Sequence, residues 1–165
     1  MHASDAAGAQ SPADPLTIHV VRQADGYPAW ASREQLAQFL HENMKPYEDE
    51  VPDIQRALDY VHSSAEGKGG FIVLAADQGE LVGAVVMLRT GMSGYIPEWI
   101  LVFISVHPDR RNAGIGGHLM QEALSRCDGD VKLHVEYENP AKRLYERVGF
   151  TSKYAEMRYS AGGSQ

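Results

Sequence analysis

Apolar and polar residues alternate with two different periods in the first part of the chain. Residues Thr17–Arg22 alternate one by one, as in a short strand. After Ser32, a residue type that caps helix N-termini, apolar side chains recur at helical spacing at Leu36, Phe39, Leu40 and Met44. The pattern predicts a strand that leads into a helix.

A second helix is predicted after an acidic loop. Pro46 and Pro52 flank this loop, which contains Glu48, Asp49 and Glu50. The amphipathic helix that follows ends near Gly67, and its apolar face consists of Ile54, Leu58 and Val61.

The middle of the chain predicts three strands. Phe71–Asp77 and Glu80–Thr90 have strand-forming composition, and Gln78-Gly79 between them is typical of a tight antiparallel hairpin. The run Trp99–Val106 lacks polar alternation, which predicts a central strand that is buried on both faces.

The last part of the chain mixes helices and strands. After a glycine-rich turn, a helix is predicted with Leu119, Met120, Ala123, Leu124 and Cys127 facing inward. Further elements are predicted at Val131–Tyr137 (strand), Ala141–Val148 (helix), Thr151–Tyr154 and Met157–Ser160 (strands). We therefore expect one α/β (α+β) domain over residues 16–160, with disordered tails at 1–15 and 161–165.

Composition and charge restrict the class of protein. The chain has 165 residues, 44% hydrophobic and 22% charged, which suits one globular domain. Its net charge of −7 disfavours a nucleic-acid partner, and its apolar runs are too short to cross a membrane. The single cysteine, the histidines without metal-ligand spacing and the lack of a secretory signal pattern predict a cytoplasmic protein with no metal.

The segment His107–Gly117 places closely spaced glycines between a buried strand and an amphipathic helix. Glycine backbones and the unpaired N–H groups at a helix start favour an anion, so a pyrophosphate fits, with Arg110 and Arg111 as charge partners. An ordinary strand-to-helix turn is the alternative interpretation. Leu119 breaks the GxGxxG pattern and no P-loop sequence is present, so neither NAD nor ATP is indicated.

Two segments resemble motifs of the GNAT superfamily of acyl-CoA-dependent N-acyltransferases. Arg111-Asn112-Ala113-Gly114-Ile115-Gly116 is similar to its Arg/Gln-x-x-Gly-x-Gly/Ala signature. Glu138–Phe150 is similar to its later Asn…Ala-x-x-Leu-Tyr-Glu-x-x-Gly-Phe segment. The resemblance implies a GNAT-like domain with a mixed, mostly antiparallel sheet between helices, splayed fourth and fifth strands, and acetyl-CoA as cosubstrate.

The resemblance also implies which residues bind the cosubstrate. The pantetheine arm is expected along the backbone of Ile104, Ser105 and Val106. Asn139 matches the asparagine that contacts this arm, although it lies one position closer to Ala141 than is common in the family. The pyrophosphate is expected on backbone N–H groups of Arg111, Asn112, Ala113, Gly114, Ile115, Gly116 and Gly117.

The chemistry that the resemblance implies is direct transfer of an acetyl group to an amine. Tyr145 matches the tyrosine that protonates the leaving thiolate, and packing on an apolar helix face is its alternative role. Glu98 is the first candidate for the base, and a solvated charge at a strand end is the alternative. Ser105 and the acidic loop of Glu48, Asp49 and Glu50 are lesser candidates. The resemblance implies that the helices on either side of this loop line the acceptor pocket, so its carboxylates would favour a cationic amine.

Several functions stay open at this point. The chain is expected to be an N-acetyltransferase for a primary amine, either a small cationic molecule or a protein N-terminus or lysine. The alternative is a non-catalytic acyl-CoA-binding sensor on the same fold, which the presence of Tyr145 disfavours. A homodimer is also open, since a sheet edge near the last strands could pair with a second chain.

Overall fold

The computed structural model describes residues 16–162, which form five strands and four helices. The strands are β1 (Thr17–Val21), β2 (Gly70–Asp77), β3 (Glu80–Arg89), β4 (Trp99–Val106) and β5 (Val131–Leu133). The helices are α1 (Arg33–Asn43), α2 (Val51–Val61), α3 (Ile115–Leu124) and α4 (Ala141–Arg147). The predicted tail 1–15 and the last three residues of the predicted tail 161–165 lie outside the described residues.

The strands form one sheet in the order β1-β2-β3-β4-β5. The first four strands are antiparallel to their neighbours, whereas β4 and β5 are parallel. This confirms the mixed, mostly antiparallel sheet. The middle position belongs to β3, so the prediction that Trp99–Val106 is the central strand was wrong, because a buried apolar run marks an interior strand without fixing its rank in the sheet.

Helices cover both faces of the sheet. On one face, α1 and α2 bury Leu36, Leu40, Ile54, Leu58 and Val61 against side chains such as Ile72, Leu74 and Val86. On the other face, α3 and α4 bury Leu119, Met120, Ala123 and Tyr145 against side chains such as Val73, Val85 and Trp99. The predicted apolar faces of α2 and α3 are thereby confirmed.

Local sequence signals account for two junctions. Ser32 caps α1 through a reciprocal pair of hydrogen bonds with Gln35, as its residue type predicted. Gln78 and Gly79 both have positive φ, of 50° and 79°, which suits a two-residue hairpin turn between β2 and β3.

A bulge in β4 changes the direction of its side chains. The register with β3 shifts so that Val86 pairs with Phe103 and Met87 with Leu101, which leaves Val102 as the extra residue. Leu101 therefore lies in the core under α3, whereas Phe103 lies in the core under α1. Burial on both faces was predicted for β4, but its residues alternate between buried and half-buried along the whole strand.

The C-terminal strands that the sequence predicts are not formed. β5 ends at Leu133 rather than Tyr137, and residues 151–160 contain neither strand nor helix and are exposed throughout. Strand composition indicates only a propensity, and a strand forms only where a sheet edge pairs with it. None of the helices within residues 16–162 has the length and apolar character to cross a membrane.

Candidate active site

The parallel strands β4 and β5 separate after three residue pairs. Pairing runs from Trp99 with Val131 to Leu101 with Leu133, and β4 then continues to Val106. Over this second half, the backbone edge of β4 that faces β5 is free of strand partners. The expected splay of the fourth and fifth strands is confirmed, and it brings Ile104, Ser105 and Val106 to an open edge.

A turn rich in unpaired amides lies where β4 ends. Asn112 and Gly114 have positive φ, of 64° and 81°, and α3 begins at the next residue. The first backbone bond of the helix runs from His118 N to Gly114 O, and the amides of residues 112–117 donate none to the described chain. Six consecutive N–H groups at the start of a ten-residue helix are therefore available to an anion.

Both arginines of this turn are bound to the protein itself. The Arg110 guanidinium pairs with Asp77, with Nη2 2.9 Å from Oδ2. Arg111 donates from Nε to the Val106 carbonyl at 3.1 Å and from Nη2 to the Asn43 carbonyl at 2.7 Å. The two side chains therefore fasten the turn to the sheet and to the end of α1.

The three glycines of the turn differ in what surrounds them. A Cβ on Gly114 would meet nothing within 4 Å, but its φ of 81° is unfavourable for other residues. A Cβ on Gly116 would lie 3.1 Å from Leu144 Cδ2, so this glycine lets α4 approach α3. Gly117 has open space around it. The sequence analysis predicted that all three glycines bind the pyrophosphate. Gly116 also allows the close packing of α4 on α3.

Tyr145 is 7% exposed and lies in the core between α3, α4 and the sheet. Its ring packs edge-on against Phe150 at 6.1 Å between centroids. Burial raises the pKa of the Tyr145 hydroxyl to about 12, so the phenol stays protonated at neutral pH. Both the packing role and the proton-donor role that the sequence allowed are compatible with this position.

Asn139 organises the start of α4. Its side-chain Oδ1 accepts a hydrogen bond from the Ala141 amide at 2.9 Å. In the same loop, the Glu138 carbonyl accepts a hydrogen bond from the Tyr47 hydroxyl at 2.9 Å. Tyr47 thus connects the α1–α2 loop to the segment after β5, a contact across 91 residues that no local pattern in the sequence signals.

Glu98 lies immediately before β4. This end of the strand is opposite the amide-rich turn at residues 112–117, which we call the anion turn. Its Oε2 accepts a hydrogen bond from the Asp130 amide at 2.8 Å. Bonds from its own backbone amide, from Asp130 and from Gly94 lower the pKa of the carboxyl, which makes it a weaker base. Ser105 lies seven positions further along the chain, which corresponds to about 23 Å in an extended strand.

Two buried polar side-chain atoms in the described chain make no hydrogen bond, Glu48 Oε2 and Ser105 Oγ. Ser105 is 6% exposed and lies past the bulge, on the same side of β4 as Phe103 and α1. Glu48 is half-buried and adjoins Tyr47. Burial and the nearby charge of Asp53 raise the pKa of Asp49 against the opposing effect of Arg158. Buried polar atoms without partners are uncommon in folded proteins, so these two atoms stand out among the described residues.

Comparison with known proteins fits this geometry. Residues 67–152 match the family described as "Acetyltransferase (GNAT) domain". A segment of 57 residues is 40% identical to the cysteine-rich protein 2-binding proteins of Mus musculus and Homo sapiens, and this segment is 34% of the chain but 7% of each relative.

Solved structures share the fold at low sequence identity. An aminoglycoside N-acetyltransferase, AAC(6')-Iy, in complex with CoA, superposes with a TM-score of 0.63 at 12% identity, over 90% of this chain and 96% of the other. A ribosomal-protein-alanine N-acetyltransferase from Brucella melitensis biovar Abortus 2308 superposes with a TM-score of 0.59 at 19% identity, over 88% and 99%.

The diverging pair of parallel strands, the amide-rich turn at the end of the fourth strand and the buried tyrosine on the last helix are the features that the sequence resemblance implied for an acyl-CoA-dependent acyltransferase domain. The chain belongs to the GNAT acetyltransferase family, whose domain matches more than half of it. The resemblance read from Arg111–Gly116 and Glu138–Phe150 is thereby confirmed.

Proposed function

We propose that this protein transfers the acetyl group of acetyl-CoA directly to the primary amine of a small cationic acceptor in the cytoplasm. The observation that carries the proposal is the row of six unpaired amides at residues 112–117, directly beyond the free edge of β4. A pyrophosphate on these amides would leave the pantetheine arm to follow Ile104, Ser105 and Val106. Asn139, with its Oδ1 already bound to Ala141, has its side-chain Nδ2 left for the arm.

The proposed reaction needs one group that donates a proton to the leaving sulfur and another that accepts a proton from the amine. The amine nitrogen bonds to the thioester carbon, the carbon–sulfur bond breaks, and Tyr145 gives its proton to the departing sulfur. The proton that the nitrogen releases on becoming an amide passes to solvent, from which the tyrosinate is reprotonated. Amide N–H groups of β4 near the bulge would stabilise the charge on the carbonyl oxygen. The amine must arrive without its proton, which a carboxylate at the acceptor side can accept.

Glu48 is better placed than Glu98 to receive the amine. Glu98 already has backbone donors and a lowered pKa, whereas Glu48 Oε2 is buried without a partner. Asp49 and Glu50 adjoin Glu48 and add negative charge, which favours a cationic acceptor.

A titration tests the cosubstrate. We expect acetyl-CoA to bind in calorimetry at micromolar Kd, and dephosphorylated pantetheine to bind much more weakly because it lacks the pyrophosphate. Gly114→Ala should weaken binding at least tenfold. Gly94→Ala is the matched control, since Gly94 has a φ of 78° and equally open surroundings but lies in the loop before β4. Absence of binding by the unaltered protein would contradict the proposal.

A second experiment tests the acceptor side. Steady-state assays with polyamines, aminoglycosides and peptides would identify the acceptor, and Glu48→Gln should then raise its KM at least tenfold while the KM for acetyl-CoA stays unchanged. Glu66→Gln, at an exposed position in the loop after α2 and outside the acidic loop, is the control. Parallel assays of Glu98→Gln show whether that carboxylate takes part. Tight CoA binding without turnover of any amine would favour the sensor instead.

A further inference from the structure

Ser105 is a polar residue in an otherwise apolar strand. The other residues of β4 are apolar or aromatic. Apart from aromatic residues, Ser105 is the only buried residue with a polar side chain among residues 16–162, with 6% of its surface exposed. Its Oγ makes no hydrogen bond with the described residues. A buried hydroxyl without a partner is unfavourable, and alanine would fill the same position without this penalty. The packing of β4 therefore gives no reason for a hydroxyl here.

The bulge in β4 determines where this hydroxyl points. Side chains of a regular strand alternate, so Leu101 and a residue four positions later would share one face. The extra residue of the bulge reverses the alternation, because Leu101 lies in the core under α3 and Phe103 in the core under α1. Ser105 pairs with Ala84, which belongs to the same core as Phe103. The Ser105 side chain therefore faces α1, whereas Tyr145 lies on the opposite face of the sheet.

The loop between α1 and α2 spans the gap between the diverging strands on the α1 face. On one side, Arg111 donates to the Val106 carbonyl at the end of β4 and to the Asn43 carbonyl at the end of α1, where the loop begins. On the other side, the Tyr47 hydroxyl donates to the Glu138 carbonyl in the segment after β5. The loop is thus attached beside both strands at the place where they separate.

The two unpartnered buried polar atoms of the described chain lie on this same side of the sheet. Ser105 Oγ belongs to the strand, and Glu48 Oε2 belongs to the loop between the two helices that cover that strand face. The carboxylate carries negative charge, whereas the hydroxyl is neutral and can accept a hydrogen bond from an N–H group. A cationic molecule with N–H groups, such as the amine proposed above, matches both atoms.

A carboxylate and a hydroxyl suit different forms of an amine. A carboxylate stabilises the ammonium form, which has no lone pair with which to attack a thioester. A neutral primary amine has one lone pair and two N–H groups. A hydroxyl oxygen can accept one of these N–H groups while the lone pair stays free, and its lack of charge does not favour the ammonium form.

We propose that Ser105 binds the acceptor in its reactive form: Oγ accepts a hydrogen bond from one N–H of the neutral amine, whose lone pair then faces the thioester carbon. This inference rests on the acetyltransferase function proposed above. It gives Ser105 a role other than that of the base, because a serine hydroxyl does not retain a proton from an amine at neutral pH. Glu48 attracts the cation and accepts its proton, and Ser105 orients the nitrogen.

Kinetics and binding of Ser105→Ala test the contact. The probe is the amine with the highest kcat/KM among the polyamines, aminoglycosides and peptides assayed above. We expect its KM to rise by about three- to tenfold, the range for loss of one hydrogen bond. The KM for acetyl-CoA should change less than about twofold, because the backbone of β4 is unaltered. The calorimetric Kd of the same amine in the presence of CoA, which has no acetyl group to transfer, should rise by the same factor as its KM.

A matched serine provides the control. Ser125 is exposed at the end of α3, and its hydroxyl donates to the Glu122 carbonyl at 3.0 Å. Ser125→Ala should leave both KM values and the Kd of the amine unchanged, since this hydroxyl lies outside the gap between the strands.

Thermal unfolding of Ser105→Ala needs no acceptor. The thermal midpoint should stay the same or rise, because no described residue loses a hydrogen bond. A lower midpoint would show that the hydroxyl supports the fold and would contradict the proposal. Unchanged KM and Kd for an amine that the unaltered protein acetylates would overturn the role of Ser105 alone. Failure of the unaltered protein to acetylate any amine would overturn the proposed function and this role together.

Discussion

The ring of Tyr145 is buried next to Phe150, and the pKa of its hydroxyl is raised by desolvation alone. A phenol in this environment stays protonated at neutral pH. A free thiolate, whose thiol has an ordinary pKa of about 8.5, is too weak a base to take this proton by itself, so we expect the transfer to accompany cleavage of the carbon–sulfur bond.

Tyr145→Phe separates the chemical role from the packing role. We expect kcat to fall by about 100-fold or more, as is usual for loss of a general acid, while the Kd of acetyl-CoA changes less than about twofold, because the ring still fills its place. The thermal midpoint should not fall, since the ring stays buried and the hydroxyl makes no hydrogen bond with the described residues. Steady-state kinetics and calorimetry check this, with Tyr95→Phe as an exposed control. An unchanged kcat would leave Tyr145 with a packing role alone.

Local patterns predicted the local part of the site. Gly114 and the start of α3 were expected from adjacent residues, and the structure places them at the end of β4. The contacts of Arg111 with Asn43 and of Tyr47 with Glu138 span 68 and 91 residues, and nothing in either segment alone indicates its partner. The roles of Tyr145, Glu98 and Asn139 stay predictions until they are measured.

At the scale of the elements, α3 packs closely against the sheet because Gly83 has no side chain. Gly83 lies on β3 under this helix, and a Cβ there would lie 2.7 Å from Leu119 Cδ1 and 3.3 Å from Ile115 Cγ2. Since Ile115 is the first residue of α3, this close approach also sets the position of the anion turn.

Gly83→Ala should therefore disturb both stability and binding. We expect the free energy of unfolding to fall by about 1–3 kcal/mol, as for other overpacked cores, and the Kd of acetyl-CoA to rise as α3 moves. Urea denaturation and calorimetry check the two effects. Gly117→Ala places a methyl group in open space on α3 and should leave the free energy of unfolding unchanged or higher. Equal stability of Gly83→Ala and the unaltered protein would show that the helix has room to adjust.

The elements that the sequence predicted well are those whose determinants are short in range. The hairpin at Gln78-Gly79 follows from its turn residues, and the apolar face of α2 follows from helical spacing. The β4 bulge at Val102 was not predicted, because an inserted residue in a continuous apolar run leaves the pattern unchanged. The strands expected at 151–160 were wrong for the described chain, because strand formation needs an edge whose position depends on the whole sheet.

At the scale of the whole molecule, three buried or half-buried acids retain their protons longer in the folded state. Burial raises the pKa of Tyr27 and Tyr145 to about 12 and that of Cys127 to about 11, from ordinary values of 10.0 and 9.0. The Tyr27 hydroxyl also lies 2.9 Å from His62 Nε2, an interaction that uses its proton.

The free energy of unfolding should decrease with pH in the alkaline range. The unfolded chain loses these protons between about pH 9 and 10, whereas the folded chain keeps them to about pH 11 or 12, so the stabilisation is complete below pH 9 and lost across that window. Urea denaturation at pH 8 to 12 checks the slope. Tyr145→Phe should flatten it by about 2 kcal/mol over the window, and Tyr95→Phe should not. A flat profile for the unaltered protein would contradict the predicted proton retention.

We expect Arg111 to make the binding of the two substrates thermodynamically dependent. Its guanidinium donates to the last carbonyl of β4 and to the final carbonyl of α1, and thus joins the amide-rich turn to the end of α1. If CoA orders the turn, it also orders the end of α1 through Arg111. Binding of the amine then costs less conformational entropy, so the amine should bind several-fold more tightly once CoA is present. Calorimetric Kd values of the amine with and without CoA measure this cooperativity. Arg111→Met should abolish it. Arg110→Met is the control and should retain it, because Arg110 pairs with Asp77 instead. Recognition of one substrate would thereby be communicated to the other through a single side chain.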